Sequence, residues 1–147
     1  MHKAKIGVIG AGWWATEYHI PHLKEREDVE LTSVCKIEEN ELDFLKNKFG
    51  FKYASTNYLE ALDFEKLDGV VIASPHFAHF ENTKAAIERG YHIAVEKPMT
   101  TNSKDWSSSI SCDSISGIVG AKFTCTYPST NSDAGPVFPA KSVAFTL

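Results

Sequence analysis

The stretch that most constrains this chain is Lys5-Ile6-Gly7-Val8-Ile9-Gly10, followed at once by Ala11-Gly12-Trp13-Trp14-Ala15. A short apolar run ending in glycine predicts a buried strand, and the residues after Gly12 open a helix. Together they fit the pattern G-x-G-x-x-A at a strand-to-helix turn. Each small residue has a physical task. Gly10 permits the tight turn, Gly12 lets backbone approach a pyrophosphate, and Ala15 lets the helix pack close to the strand. Free N–H groups and the positive helix end then suit phosphate oxygens. Trp13 and Trp14 are candidates to cover what binds there, since their position turns one ring toward the cleft, and Trp13 is the expected one. Tight strand–helix turns use glycine for structural reasons as well, so context decides, and here the turn follows the first strand of a repeating series.

That series runs through the first two thirds of the chain. Glu30–Cys35 predicts a second strand, 52–54 a short third, 69–73 (Gly-Val-Val-Ile-Ala) a fourth and 91–95 a fifth. Between them lie helix signals. A helix from Trp13 to about Lys24 is expected to break at Pro21. Asn40 is the expected cap of a helix with Leu42, Leu45 and Phe49 on one face and Gly50 as its stop. Asn57 is the expected cap of a short helix to Leu62. His76 to Arg89 carries Phe77, Phe80, Lys84 and Ile87 at helical spacing, with Gly90 after it. Alternation of this kind predicts right-handed βαβ units, hence an α/β fold with a Rossmann-type, doubly wound parallel sheet.

Composition divides the chain near Lys104. Residues 1–104 hold 29 charged residues and 10 Ser or Thr, whereas residues 105–147 hold 5 and 13 and no Glu, Arg or His. The expectation is a nucleotide-binding domain over 1–104 and an irregular Ser/Thr-rich tail over 105–147, in which only Ile118–Cys125 resembles a strand. The net charge of −4 argues against a basic nucleic-acid footprint or binding to anionic membranes. No apolar run approaches the roughly 18 residues that span a bilayer. With no signal peptide and three unclustered cysteines (Cys35, Cys112, Cys125), a cytoplasmic protein without a disulfide framework is expected.

In a sheet of this type the reader of the adenosine ribose sits at the end of the second strand. Lys36 occupies that place, with Glu38 and Glu39 just after. An acidic residue would hold the 2′-hydroxyl of NAD, whereas lysine can pair with the 2′-phosphate of NADP. Lys36 tips the expectation toward NADP, with NAD left open, and an ordinary solvated lysine is the plain alternative.

Three segments now occur in order: Lys5–Ala15, Val70–His79 (VVIASPHFAH) and Ala94–Met99 (AVEKPM). Over residues 3–104 the chain resembles the glucose-fructose oxidoreductase / inositol dehydrogenase / MocA (Gfo/Idh/MocA) family. The resemblance implies a Rossmann domain followed by a substrate domain, and oxidation or reduction of sugar-like or cyclitol-like carbonyl and hydroxyl compounds with NAD or NADP. Gly10, Gly12 and Ala15 match the pyrophosphate turn. Ser74-Pro75-His76-Phe77-Ala78-His79 matches a loop usually written Thr-Pro-Asn-x-x-His at the nicotinamide-side ribose, with His76 in place of Asn. Glu96-Lys97-Pro98 matches the family's Glu-Lys-Pro motif, whose lysine is catalytic. Independently, Lys97 follows a buried strand and so emerges at the carboxyl edge, where α/β sheets bind ligands, and Pro98 biases it toward an extended conformation. A lysine ammonium there can hydrogen-bond a developing oxyanion.

The family's second domain supplies an Asp and a His, and this chain has no His after His92. The expectation is therefore a truncated member whose tail is foreign to the family, with weak or no turnover, because positioning alone contributes roughly 7–11 kcal/mol to catalysis. The alternatives are a noncatalytic NAD(P)-binding protein or sensor and, less in keeping with Glu-Lys-Pro, a methyltransferase-like nucleoside binder. Oligomeric state stays open. The pairs His19/His22 and His76/His79 lack the third and fourth ligands zinc needs. His19 is expected to pack or hydrogen-bond beside the first helix, Trp14 to sit in core or interface, and Cys35 to be buried and inert. Glu96 either orients Lys97 or satisfies local backbone.

Overall fold

A computed structural model describes residues 2–99 and 101. The expected strand at Ile118–Cys125 and the rest of the tail lie outside the described residues. Five strands form one parallel sheet: β1 (Ala4–Ile9), β2 (Val29–Cys35), β3 (Tyr53–Ser55), β4 (Gly69–Ile72) and β5 (His92–Val95), in the order β3-β2-β1-β4-β5. The helices are α1 (Ile20–Glu25), α2 (Leu42–Phe49), α3 (Tyr58–Asp63) and α4 (His79–Glu88). The α/β, doubly wound architecture is the expected one.

Two cores account for the layering. Val8, Ala15, Ile20, Leu31, Val34, Leu45 and Phe49 bury the face under α1 and α2. Ile9, Cys35, Leu62, Val70, Ile72, Ala86 and Tyr91 bury the face under α3 and α4. Val8 and Ile9 take opposite faces because successive strand side chains alternate. In β2 that alternation is broken by one residue. The register passes from Ile6↔Leu31 to Gly7↔Ser33, so Thr32 is a bulge, and Leu31 and Val34 consequently share a face. Each fully buried Leu or Ile contributes on the order of 1.5–3 kcal/mol. The edge strand β5 departs from the pattern: Ile93 and Val95 pack on the α3–α4 core, whereas His92 and Ala94 are exposed.

Three local expectations need correction. Pro21 does not break the first helix. A π-helical turn over Ala15–His19 runs directly into α1, and Pro21 falls in the first turn of α1. The wide turn closes with Ile20 N–H on the Ala15 carbonyl, so the next residue is one whose missing N–H costs little. Asn40 is not a cap; it lies within a 3₁₀ turn over Glu39–Glu41, and α2 starts at Leu42 without a side-chain cap. The helix after β4 begins as a 3₁₀ turn over His76–Ala78, which leaves Phe77 exposed. The buried face of α4 is accordingly His79, Asn82, Thr83 and Ala86, small or polar residues that let the helix lie close to the sheet. Of the two places expected for Trp14, core or interface, its half-exposed ring excludes the core. By contrast, the Asn57 side chain caps α3 by accepting from Leu59 N–H at 2.9 Å, and Gly50 ends α2 at φ +84°.

Candidate functional site

The strand order reverses between β1 and β4, and the crevice at their carboxyl ends is where open α/β sheets hold ligands. Gly10 and Ser74 occupy that crevice. The Gly10 and Ala11 N–H groups both donate to the Cys35 carbonyl, at 2.9 and 3.0 Å, which ties the turn to the end of β2. On its other side Gly10 lies against β4: a Cβ there would stand 2.3 Å from Ser74 N and Cα, and φ is +86°. Only glycine fits. Gly12 is different. A Cβ at Gly12 would meet nothing within 4 Å, and its φ is not positive. Among the described residues neither packing nor backbone conformation calls for glycine there, and the space beside its backbone is open. Ala15 is fully buried, as close packing of helix on strand requires. The Thr16 hydroxyl donates to the Gly12 and Trp13 carbonyls at 3.1 and 3.0 Å and closes the first helical turn.

The end of β5 comes to the same crevice. Glu96 N–H donates to the Ile72 carbonyl at 2.9 Å, extending the ladder by one residue. Glu96 Oε1 accepts from His19 Nε2 at 2.7 Å and from Trp14 Nε1 at 3.0 Å. Burial pushes this carboxyl's pKa upward, but hydrogen bonds from His19 and Trp14, the attraction of His19 and the Lys97 N–H outweigh it, so the net direction is down. Of its two expected roles, Glu96 fills the local-backbone one, since its carboxylate takes the Lys97 N–H. It anchors β5 to the helix that follows the glycine turn. Lys97 is exposed, its bond to Pro98 is cis, and no carboxylate among the described residues stands within ion-pair reach of its ammonium.

The loop after β4 is held from α4. The Ser74 hydroxyl donates to Asn82 Oδ1 at 2.7 Å. His79, fully buried, places Nε2 2.6 Å from the Ser74 carbonyl and Nδ1 2.7 Å from the Pro98 carbonyl. Pro75 and His76 are exposed beside them, and the His76 ring meets His79 edge-on at 5.5 Å between centroids. Sequence reasoning missed Asn82. Its signal was an amide one helical turn after His79, on the face turned to the sheet.

The end of β2 is built from charge. Lys36 Nζ lies 2.7 Å from Glu41 and 3.8 Å from Glu38, with its side chain only 15% exposed. Beside it a cavity of about 300 Å³ opens between the first helical turn and α2, lined by Trp13, Thr16, Lys36, Glu41, Phe44 and Lys48 among others. Trp13 is largely exposed and packs with Trp14 and Tyr18 in an aromatic cluster. Cys35 is buried, and burial pushes its thiol up to about 11, with Glu60 adding to the rise. That suppresses thiolate chemistry, in keeping with the inert role expected. Among the described residues no group of three or more His, Cys, Asp or Glu could hold a metal ion. No helix among them is long and apolar enough to cross a membrane.

Comparison with known proteins decides the family. A family model described as "Oxidoreductase family, NAD-binding Rossmann fold" matches residues 4–113. The chain belongs to the Gfo/Idh/MocA family. Among curated Gfo/Idh/MocA relatives, D-glucoside 3-dehydrogenase of Escherichia coli is 33% identical over 94 residues, 64% of this chain and 27% of that protein. Glucose-6-phosphate 3-dehydrogenase of Bacillus subtilis is 33% identical over 103 residues, 70% of this chain and 28% of that protein. The solved myo-inositol 2-dehydrogenase of Lactobacillus plantarum superposes with a TM-score of 0.65 at 28% identity, covering 78% of this chain and 32% of that one. The chain thus spans roughly a third of the length of the relatives it matches. What it shares with this family of NAD(P)-dependent oxidoreductases is the nucleotide-binding domain.

Proposed function

We propose that residues 2–99 bind NAD or NADP across the carboxyl edge of the sheet, as the cofactor half of an oxidoreductase acting on sugar-like or cyclitol-like compounds. The observation that carries this reading is Gly12. Nothing among the described residues requires a glycine there, and a pyrophosphate does. On this reading Gly10, Gly12, Trp13 and Ala15 hold the diphosphate end and Lys36 reads the adenosine ribose. Ser74, Pro75 and His76 line the nicotinamide side, with Glu96 beside them, and His79 backs the loop from within. Lys97 is the catalytic group, able to hydrogen-bond a substrate hydroxyl or the oxyanion that develops from it. Its exposure, with no carboxylate partner among the described residues, leaves the ammonium available for that role. The cofactor supplies hydride when bound; the chain supplies binding, orientation and a proton-handling lysine.

Lys36 favours NADP. It already faces carboxylates, and a 2′-phosphate would take the place of Glu41 as its partner. A second reading, a noncatalytic NAD(P)-binding protein or sensor, rests on the same Gly10–Gly12 turn and differs only in lacking turnover. Calorimetry with NADP, NAD and S-adenosylmethionine tests the binding claim. Saturable binding of a dinucleotide that Gly12→Ala weakens is the expected result; binding of S-adenosylmethionine alone refutes it. Steady-state assays with cyclitols and sugars then separate the two readings, ordinary turnover favouring the enzyme and binding without turnover the sensor.

A further inference from the structure

The contacts at the carboxyl edge form a closed circuit. Gly10 presses on Ser74, the Ser74 carbonyl meets His79, and His79 meets the Pro98 carbonyl. Two residues before Pro98, Glu96 returns the circuit to His19 and Trp14 on the helix that begins at the glycine turn. Among the described residues His79 is the one side chain hydrogen-bonded to both β4's loop and β5's turn. It has no exposed surface with which to touch a ligand. We propose that His79 is a positioning residue, a buried clasp whose Nδ1–H to the Pro98 carbonyl sets where Glu96 and Lys97 stand against the glycine turn.

The chemistry of the ring supports a clasp over simple core filling. Both neighbours are carbonyl oxygens, which only accept, so each contact is made only by a nitrogen that carries hydrogen. A neutral ring fills one of the two and an imidazolium fills both. An apolar residue of similar size would leave two carbonyls near the crevice without donors. The rest of the buried face also holds the loop, since Asn82 takes the Ser74 hydroxyl. Removing the Ser74 contact therefore leaves that loop a second tether, whereas Pro98 has no other hydrogen-bonded side chain among the described residues. The functional weight of the clasp rests on the reading of Lys97 as the catalytic group; its existence does not.

Two amides divide the ring's two roles. In His79→Asn the amide nitrogen approximates Nδ1 and keeps the Pro98 bond; in His79→Gln it approximates Nε2 and keeps the Ser74 bond. The Trp14 indole N–H, which donates to Glu96, reports the position of the Glu-Lys-Pro turn in an ¹⁵N spectrum, assigned through Trp14→Phe. At matched thermal stability, His79→Asn is expected to leave that resonance in place, and His79→Gln to move it toward the solvent-exposed indole position and weaken dinucleotide binding about tenfold. Equal displacement in both variants, or none in either, overturns the clasp. Should neither variant fold, the wild-type ring decides: a slowly exchanging hydrogen on Nδ1 supports it, and an Nδ1 without hydrogen refutes it. The indole and ring measurements need no cofactor. Failure of wild-type protein to bind NAD or NADP would therefore sink the proposed function while leaving the clasp standing.

Discussion

Gly10 and Gly12 lie in one turn, two residues apart, yet different forces fix them. Gly10 belongs to the inner edge, where β1, β4 and β5 end in a hydrogen-bonded circuit and a Cβ would strike Ser74 backbone. Gly12 faces open space among the described residues, and the outer edge beside it is a largely buried Lys36 meeting half-exposed carboxylates. The inner edge is set by packing, which tolerates no substitution. The outer edge is set by what will bind there, which the folded chain does not need. Stability and affinity should therefore separate cleanly between neighbouring positions.

The largest effect is expected at Gly10. Gly10→Ala combines left-handed backbone with an overpacked contact, together about 2–5 kcal/mol, enough to unfold a small domain. Urea denaturation followed by tryptophan fluorescence measures it. A midpoint within error of the parent would end the contrast. Gly12→Ala is the mirror experiment. Its folding free energy should stay within about 1 kcal/mol of the parent, with a gain as plausible on entropic grounds as a loss. Its dinucleotide affinity should fall by about tenfold or more, because the added methyl would stand where a pyrophosphate approaches the backbone. Loss of stability without loss of affinity would place Gly12 with Gly10.

Lys36→Asp sharpens the outer half. An aspartate prefers the ribose 2′-hydroxyl and repels a 2′-phosphate, so the NADP-to-NAD affinity ratio should drop by about tenfold or more. Lys36 is largely buried against Glu41 and Glu38, so the new carboxylate meets like charge there, and the unfolding midpoint should fall as well. An unchanged ratio would remove Lys36 from the cofactor site.

The same division explains what could be seen in the sequence. The five strands, the glycine turn and the Asn57 and Gly50 signals were legible because local chemistry and sheet packing agree there. Pro21 was misjudged because a π-turn, which periodicity does not reveal, places proline where its missing N–H is harmless. The core alternative for Trp14 failed because indole size suggests burial, while its N–H is spent on a carboxylate 82 residues away. His79 showed up through its motif, but its job did not, since both partners are backbone carbonyls that no side-chain pattern records. The His19–Glu96 contact is likewise long-range and left no periodic trace, whereas Asn82 left one in its spacing from His79. What sequence conveys poorly is the wiring among elements already correctly placed.

That wiring has a small, signed signature in acid. Folding lowers the Glu96 pKa below its ordinary 4.5, so the unfolded chain holds the proton more tightly and acid favours unfolding. The stabilisation is complete above the ordinary value and is lost as pH falls through the lowered folded value. Asp63 and Glu65 are also shifted down, so the whole protein's acid curve does not isolate one group. Glu96→Gln does, because the amide oxygen still accepts from Trp14 while the titration disappears. The difference in unfolding free energy between parent and variant should be under about 1 kcal/mol at neutral pH, as a partly exposed pair allows. It should shrink toward zero, or reverse, below the carboxylate range. A difference that stayed constant from neutral to acid would mean the carboxylate's charge contributes nothing to holding β5 against the glycine-turn helix, and the inner circuit would then rest on its neutral hydrogen bonds alone.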